Sequence, residues 1–256
     1  MTKLEIALVP CLNDNYCVLL HDSESGETLA IDAPDAAAID AALDARGWKL
    51  THLFITHHHT DHTQGIAALK ARWSCHVTGP EAEADRISGL DATVNEKSPL
   101  AFAKRNVRVL EMPGHTLGHV AYFFPDDGVA FTGDTLFALG CGRIFEGDAE
   151  GMWGALQKLM ALPETTQIYC GHEYTLSNAR FAMSVEPENA DLKARAAEVE
   201  ALRAANKPTL PTVLAKEKST NPFLRADSRA IRARLGLERA PDWKVFERLR
   251  ELKNKG

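Results

Sequence analysis

The chain has 256 residues, 45% of them hydrophobic and 25% charged, with a net charge of −6. That is the make-up of a globular protein with enough chain to bury a substantial core. It has no apolar run of membrane-spanning length and, being acidic, shows no basic-aromatic motif, so neither a membrane nor a nucleic-acid partner is expected.

In chain order, Met1-Thr2-Lys3-Leu4-Glu5-Ile6 runs straight into a strand-like pattern. It has neither the apolar core of a signal peptide nor the arginine-rich character of a transit peptide, and a cytoplasmic location is expected. Apolar runs at 6–10, 16–20 and 28–31 predict strands, the last two joined by the turn Ser23-Glu24-Ser25-Gly26. Residues 35–46 predict an alanine-rich amphipathic helix ended by Gly47, followed by a strand at 50–55 and a helix over 64–73. Further strands are expected at 75–78, 107–111, 119–124, 128–132 and 167–170, with a helix at 150–161. From 175 onward helical periodicity dominates, at 175–185, 189–205, 227–235 and 241–253, with an irregular proline-containing stretch at 207–224. Two domains are expected, an α/β catalytic domain over 1–174 and a smaller helical one over 175–256.

The densest chemistry lies in Thr56-His57-His58-His59-Thr60-Asp61-His62, where four imidazoles and a carboxylate fall within six residues. His57, His59 and Asp61 alternate, so an extended or looping backbone aims them to one side, and a turn into the following helix brings His62 round to join them. His58 is expected to point away and to form hydrogen bonds behind the ligands. Neutral imidazole with carboxylate suits zinc, iron or manganese.

Three later strands each end in glycine and then at once a ligand-type residue: Pro113-Gly114-His115, Thr132-Gly133-Asp134 and Cys170-Gly171-His172. Strand ends are rigid places from which to aim a side chain. This inventory suits two metals, with His57, His59 and His115 on one, Asp61, His62 and His172 on the other, and Asp134 as the bridge. The five cysteines (Cys11, Cys17, Cys75, Cys141, Cys170) are odd in number and scattered, which suits reduced, mostly buried thiols. Charge is uneven: residues 226–256 carry +4 and the remainder −10. A basic tail on an acidic protein reads either as a solvated helix face or as a docking surface for a small anion.

The histidine run and the later His, Asp and His resemble the metallo-β-lactamase superfamily, which implies an αββα sandwich with the metal site at one edge of the sheets and, here, a C-terminal helical domain. Pro113-Gly114-His115-Thr116, Phe131-Thr132-Gly133-Asp134-Thr135-Leu136-Phe137, Gly140-Cys141-Gly142-Arg143, Gly171-His172-Glu173-Tyr174-Thr175, Asp14-Asn15-Tyr16 and Asn221-Pro222-Phe223-Leu224-Arg225 resemble more closely the glyoxalase II family of hydroxyacylglutathione hydrolases. That resemblance covers essentially the whole chain. It implies two divalent metal ions, zinc first, with iron or manganese also suited, and hydrolysis of S-D-lactoylglutathione to D-lactate and glutathione in methylglyoxal detoxification.

The positions that match the family's glutathione contacts are Arg143, Tyr174, Arg250 and Lys253. The chain departs from some relatives in having Arg143 where they have lysine, and Phe145 where they have tyrosine. The expected chemistry is attack by hydroxide, formed from water between the two cations, on the thiolester carbonyl. Asp61 and Asp134 are the catalytic carboxylates, and Asp61 orients the nucleophile. The thiolate, of ordinary pKa about 8.5, leaves without a strong acid. A glutathione thiolester is then the partner of a monomer, and truncating Arg250 or Lys253 is expected to raise KM more than it lowers kcat. The rival readings are a glutathione persulfide dioxygenase-like enzyme, another hydrolase of the same fold (a β-lactamase or a nuclease), and a non-catalytic metal-binding protein.

Overall fold

The computed structural model describes residues 3–255, which divide into two compact units. The first takes in the chain up to Glu111 together with Gly118–Gly133, and the second Met112–Leu117 together with everything from Asp134.

In the first unit a six-stranded sheet is built in simple sequence order from β1 (Glu5–Cys11), β2 (Asn15–His21), β3 (Thr28–Ile31), β4 (His52–Phe54), β5 (His76–Pro80) and β6 (Ala92–Val94). The first three strands are antiparallel, as short turns allow, while β3 to β6 run parallel. The β3–β4 crossover carries α1 (Ala36–Asp44), and the β4–β5 crossover carries α2 (Thr60–Thr63) and α3 (Ile66–Trp73). Ile39 and Leu43 of α1 and Ile66 and Leu69 of α3 bury themselves with Leu53 and Ile55. Between those two residues, Phe54 points the other way and meets Tyr122, with ring centroids 5.1 Å apart. Both faces of the sheet are therefore covered, which is why Leu53-Phe54-Ile55 is apolar without alternation.

Tyr122 belongs to the second set of strands of this unit, β7 (Leu100–Phe102), β8 (Arg105–Glu111), β9 (Val120–Phe124) and β10 (Val129–Gly133), which are antiparallel. Its hydroxyl donates to the Ile55 carbonyl at 2.7 Å, satisfying a buried polar group at the point where β4 gives way to the histidine run.

The helix expected over 64–73 appears as α3 from Ile66, with α2 before it and a break at Gln64-Gly65 between the two. Gly65 is the reason: its amide donates to Ala33 O at 2.8 Å, and a Cβ there would also stand 2.8 Å from that oxygen, so the chain presses on the loop after β3 and turns before resuming.

The second unit contains the hairpin β11 (Leu136–Phe137) and β12 (Gly140–Cys141), α4 (Ala149–Met160), and β13 (Gln167–Cys170) paired antiparallel with β14 (Thr212–Val213). Five more helices follow among the described residues: α5 (Thr175–Val185), α6 (Ala190–Ala204), α7 (Leu214–Thr220), α8 (Arg229–Leu235) and α9 (Asp242–Lys255). The stretch 207–224, expected to be irregular, holds β14, α7 and a short 3-10 turn at Pro222–Leu224.

Compactness divides the chain differently from a boundary at 174. Trp153 of α4 packs on Phe246 of α9 with centroids 6.0 Å apart, and β13 pairs with β14, so elements from before 174 pack with those after it.

Candidate metal centre

The parallel strands β3 and β4 end side by side, and the first half of the site grows from their C-terminal ends. Asp32 follows β3 directly with φ +60°, a left-handed conformation that aspartate tolerates better than most residues. Its buried carboxylate accepts the Thr56 amide at 2.8 Å, the Thr56 hydroxyl at 2.9 Å and His62 Nδ1 at 2.9 Å. Thr56 gives its only hydroxyl hydrogen to Asp32, so at 3.0 Å it can only accept from His57 Nδ1. A carboxylate likewise can only accept from His62 Nδ1. Both rings are thereby set in the tautomer that carries its lone pair on Nε2.

Residues 57–59 carry no regular structure, and Asp61 already lies in the single turn of α2 rather than in line with them; that turn carries His62 back, so that the His57 and His62 rings lie 4.2 Å apart. His57 Nε2 is 3.0 Å from His59 Nδ1, and His62 Nε2 is 3.8 Å from Asp61 Oδ2. Asp61 is the more open member, its side chain 43% exposed, and it is steadied by Asn15 Nδ2, which donates to Oδ2 at 3.0 Å. His58 turns elsewhere: both its amide and Nδ1 lie against buried Glu83, at 2.6 and 2.8 Å. Glu83 also accepts the Gly118 amide at 3.1 Å, fixing where the chain re-enters this unit.

The other unit carries its own cluster of donors. His115 Nε2 and His172 Nε2 stand 3.4 and 3.3 Å from the same oxygen of Asp134. The Arg143 carbonyl accepts from His115 Nδ1 at 2.9 Å, so this ring too presents Nε2. Gly142 is required here, since a Cβ would run into the Asp134 carbonyl.

Donor atoms that share one tetrahedral ion at zinc–nitrogen distances lie roughly 3.3 Å from each other. The four separations within the halves, 3.0, 3.8, 3.4 and 3.3 Å, bracket that value. With three imidazole tautomers set by groups behind them, both halves fit metal binding. Cysteine is a poorer candidate. Burial pushes the Cys141 thiol up to about 11 and Cys170 up to about 12, and all five cysteines are free and buried.

Of the residues expected to hold substrate, Arg143 is exposed at the end of the β11–β12 hairpin. Tyr174 is 37% exposed and lies flat on His172, centroids 4.7 Å apart at 7°. Lys253 Nζ donates to Ser177 O and Oγ at 3.1 and 2.8 Å; burial and the neighbouring Arg250 and Arg143 charges lower its pKa. Arg250 is 5% exposed, lies over Phe223, and donates to Cys141 O at 2.7 Å and Asn254 Oδ1 at 3.1 Å.

Sequence reasoning overlooks Asp32 and Glu83. Asp32 has a legible signal, an apolar strand ending directly in a carboxylate, but no glycine precedes it. Glu83 carries none.

Comparison with known proteins agrees with this geometry. The metallo-beta-lactamase superfamily model matches residues 22–172, and the model for the hydroxyacylglutathione hydrolase C-terminus matches 173–256. A hydroxyacylglutathione hydrolase from Brucella anthropi is 54% identical over 98% of this chain and 97% of its own length. One from Brucella ovis is 53% identical over 98% of each. Among solved structures, ETHE1 from Myxococcus xanthus superposes with a TM-score of 0.70 at 24% identity, covering 98% of this chain and 90% of that one. The BLEG-1 B3 metallo-beta-lactamase gives 0.68 at 20% identity, covering 86% and 100%. These two likenesses establish the fold, the αββα sandwich expected from the sequence. Matched across 98% of its length at more than half identity, the chain belongs to the hydroxyacylglutathione hydrolases, the thiolester hydrolases of the metallo-β-lactamase superfamily.

Proposed function

We propose that this chain hydrolyses S-D-lactoylglutathione to D-lactate and glutathione, at a centre of two divalent metal ions, as a step in methylglyoxal detoxification. His57, His59 and His115 would hold one ion and Asp61, His62 and His172 the other, with Asp134 as the carboxylate that serves both. Zinc suits so nitrogen-rich a donor set, and iron or manganese is accommodated by the same ligands. The observation that carries the reading is the set of three histidines whose Nδ1 atoms each donate to a group placed to accept, in a chain matched over 98% of its length by hydroxyacylglutathione hydrolases.

When bound, the ions supply a water acidic enough to ionise near neutral pH and positive charge for the thiolester oxygen. The chain's own residues do the rest. Asp61, steadied by Asn15 and partly open, takes a hydrogen bond from the attacking water and aims it at the carbonyl carbon. The departing thiolate needs no strong acid, since its thiol has a pKa of about 8.5. Glutathione carries two carboxylates. Arg143 and Lys253 meet them, Tyr174 lines their approach, and Arg250 adds its charge from behind while holding Cys141.

The functional division proposed is a catalytic segment 1–174 and a substrate-binding helical segment 175–256, in a monomer. Five reduced, buried cysteines support a cytoplasmic setting, and among the described residues no helix is long and apolar enough to cross a membrane.

The test follows thiolester absorbance with purified, metal-loaded protein and S-D-lactoylglutathione. Turnover is expected; none, with two metals bound per chain, overturns the reading.

A further inference from the structure

The hairpin β11–β12 joins two parts of the second half-site. Asp134 stands just before it, and Arg143, whose carbonyl sets the His115 ring, just after. Its turn is the two-residue Ala138-Leu139, and Leu139 sits at φ +57°, where a γ-branched side chain is strained. Such a turn keeps its shape only if its surroundings over-determine it.

They do, and much of the constraint comes from C-terminal helices and the turn after α7. Asn221 Nδ2 donates to Phe137 O at 3.2 Å and Gly140 O at 3.0 Å. Asn178 Nδ2 donates to Ala138 O at 3.1 Å, Glu217 Oε2 accepts the Leu139 amide at 2.7 Å, and Arg250 Nη1 donates to Cys141 O at 2.7 Å. Five consecutive residues thus each give a main-chain polar group to a buried side chain. Meanwhile the Leu139 side chain packs among Ala179, Ala182, Leu192 and Val199.

Glu217 is the hub. It is fully buried, and besides Leu139 it accepts Asn221 Nδ2 at 3.0 Å and the Thr212 hydroxyl at 2.7 Å. A buried carboxylate that accepts from an amide N–H, a side-chain amide and a hydroxyl is held in one place, and it holds its donors in turn.

We propose that Glu217 is a positioning residue for the metal centre. By fixing the Leu139 turn it sets the two arms of the hairpin, and with them Asp134 on one side and the Arg143 carbonyl behind His115 on the other. The helical segment therefore completes the metal half-site as well as binding substrate. This rests on the metal reading above.

The test measures metal retention, with no thiolester present. Wild type, Glu217→Gln, Glu217→Leu and Asn178→Ala are loaded with zinc and titrated with a chelator, and the metal remaining per chain is counted. Glu217→Leu is expected to release metal at roughly tenfold lower chelator, the low end for groups behind a ligand. Glu217→Gln, which keeps an acceptor oxygen for Leu139, is expected to restore most of the retention. Asn178→Ala, which loses a single bond, keeps the measurement available should the leucine variant not fold, and shifts the midpoint about two- to threefold in the same direction. A lowered melting temperature with unchanged chelator midpoints would make Glu217 merely structural and overturn the proposal. A wild-type chain that takes up no zinc would instead remove the metal reading on which it stands.

Discussion

Asp32 and His62, thirty residues apart in the chain, share a buried hydrogen bond of 2.9 Å, and the same carboxylate receives the hydroxyl of Thr56. One aspartate therefore fixes the tautomer of His62 directly and that of His57 through Thr56. It can do so because β3 and β4 are parallel neighbours, with Ile31 opposite Phe54, so the residues that follow them emerge together.

Asp32→Ala removes the acceptor from both rings. Metal retention is expected to fall 10- to 100-fold, the usual cost of losing a group behind a ligand. Chelator titration of the loaded protein measures this, and retention within twofold of wild type would show that the tautomers are set some other way.

The matching basic residues Arg250 and Lys253 part company in the structure. Lys253→Ala is expected to raise KM for the glutathione thiolester about tenfold with little change in kcat, the pattern of lost uniform binding. Arg250→Ala also releases the Cys141 carbonyl, so kcat is expected to fall with it. Arg250→Lys should not rescue, because a single ammonium cannot reproduce the guanidinium's separate bonds to Cys141 and Asn254. Steady-state kinetics on the three variants decide the matter, and a pure KM effect at Arg250 would return it to the substrate contacts alone.

The lowered pKa of Lys253 predicts the pH dependence of substrate binding. Burial first, then the Arg250 and Arg143 charges, favour the neutral amine, so Lys253 loses its proton at a lower pH than an ordinary lysine. Its attraction for a carboxylate is full below that point and lost above it. KM should therefore be flat through neutrality and rise on the alkaline side before an ordinary lysine would titrate. The rise should be absent in Lys253→Ala; if it persists there, another group is responsible.

Glu186 anchors the helical segment and gives a prediction about stability. Arg225 grips it through Nε and Nη2, both at 2.9 Å, while Ser228 and Asn189 add bonds of 2.7 and 2.9 Å. Burial pushes its pKa up, but these hydrogen bonds outweigh burial and the net shift is downward. A carboxylate lowered on folding contributes stability above its unfolded value, and that contribution disappears as pH falls through the folded one. Glu186→Gln is expected to cost about 3 kcal/mol at neutral pH, the low end for breaking a buried pair, because Arg225 is partly exposed. The deficit should shrink in acid. Denaturant melts at pH 7 and pH 4 read both, and an equal deficit at the two pH values would show that charge is not the cause.

How much of this was legible in advance depends on how local its cause is. Alternation in the histidine run and the glycine before His115, Asp134 and His172 are properties of neighbouring residues, and they point to metal ligands with no knowledge of the fold. The helices at 175–185 and 189–205 were equally legible, because a period of 3.6 residues is written into the chain. Helix α7 was not, since Leu214–Thr220 is short, polar and set between prolines, and its helicity comes from packing.

The sequence by itself determined the donor inventory, the chemistry those donors favour and the thiolester-hydrolase resemblance, all carried by residue types at short spacings. Only the tertiary structure decided what stands behind the donors: Asp32 on His62, Glu83 on His58, the Arg143 carbonyl on His115, and Glu217 on the Leu139 turn. Each of those contacts joins residues at least 25 positions apart. A hydrogen bond depends on distance and direction in space, and no periodicity along the chain records which distant carboxylate or carbonyl the fold will bring to an imidazole.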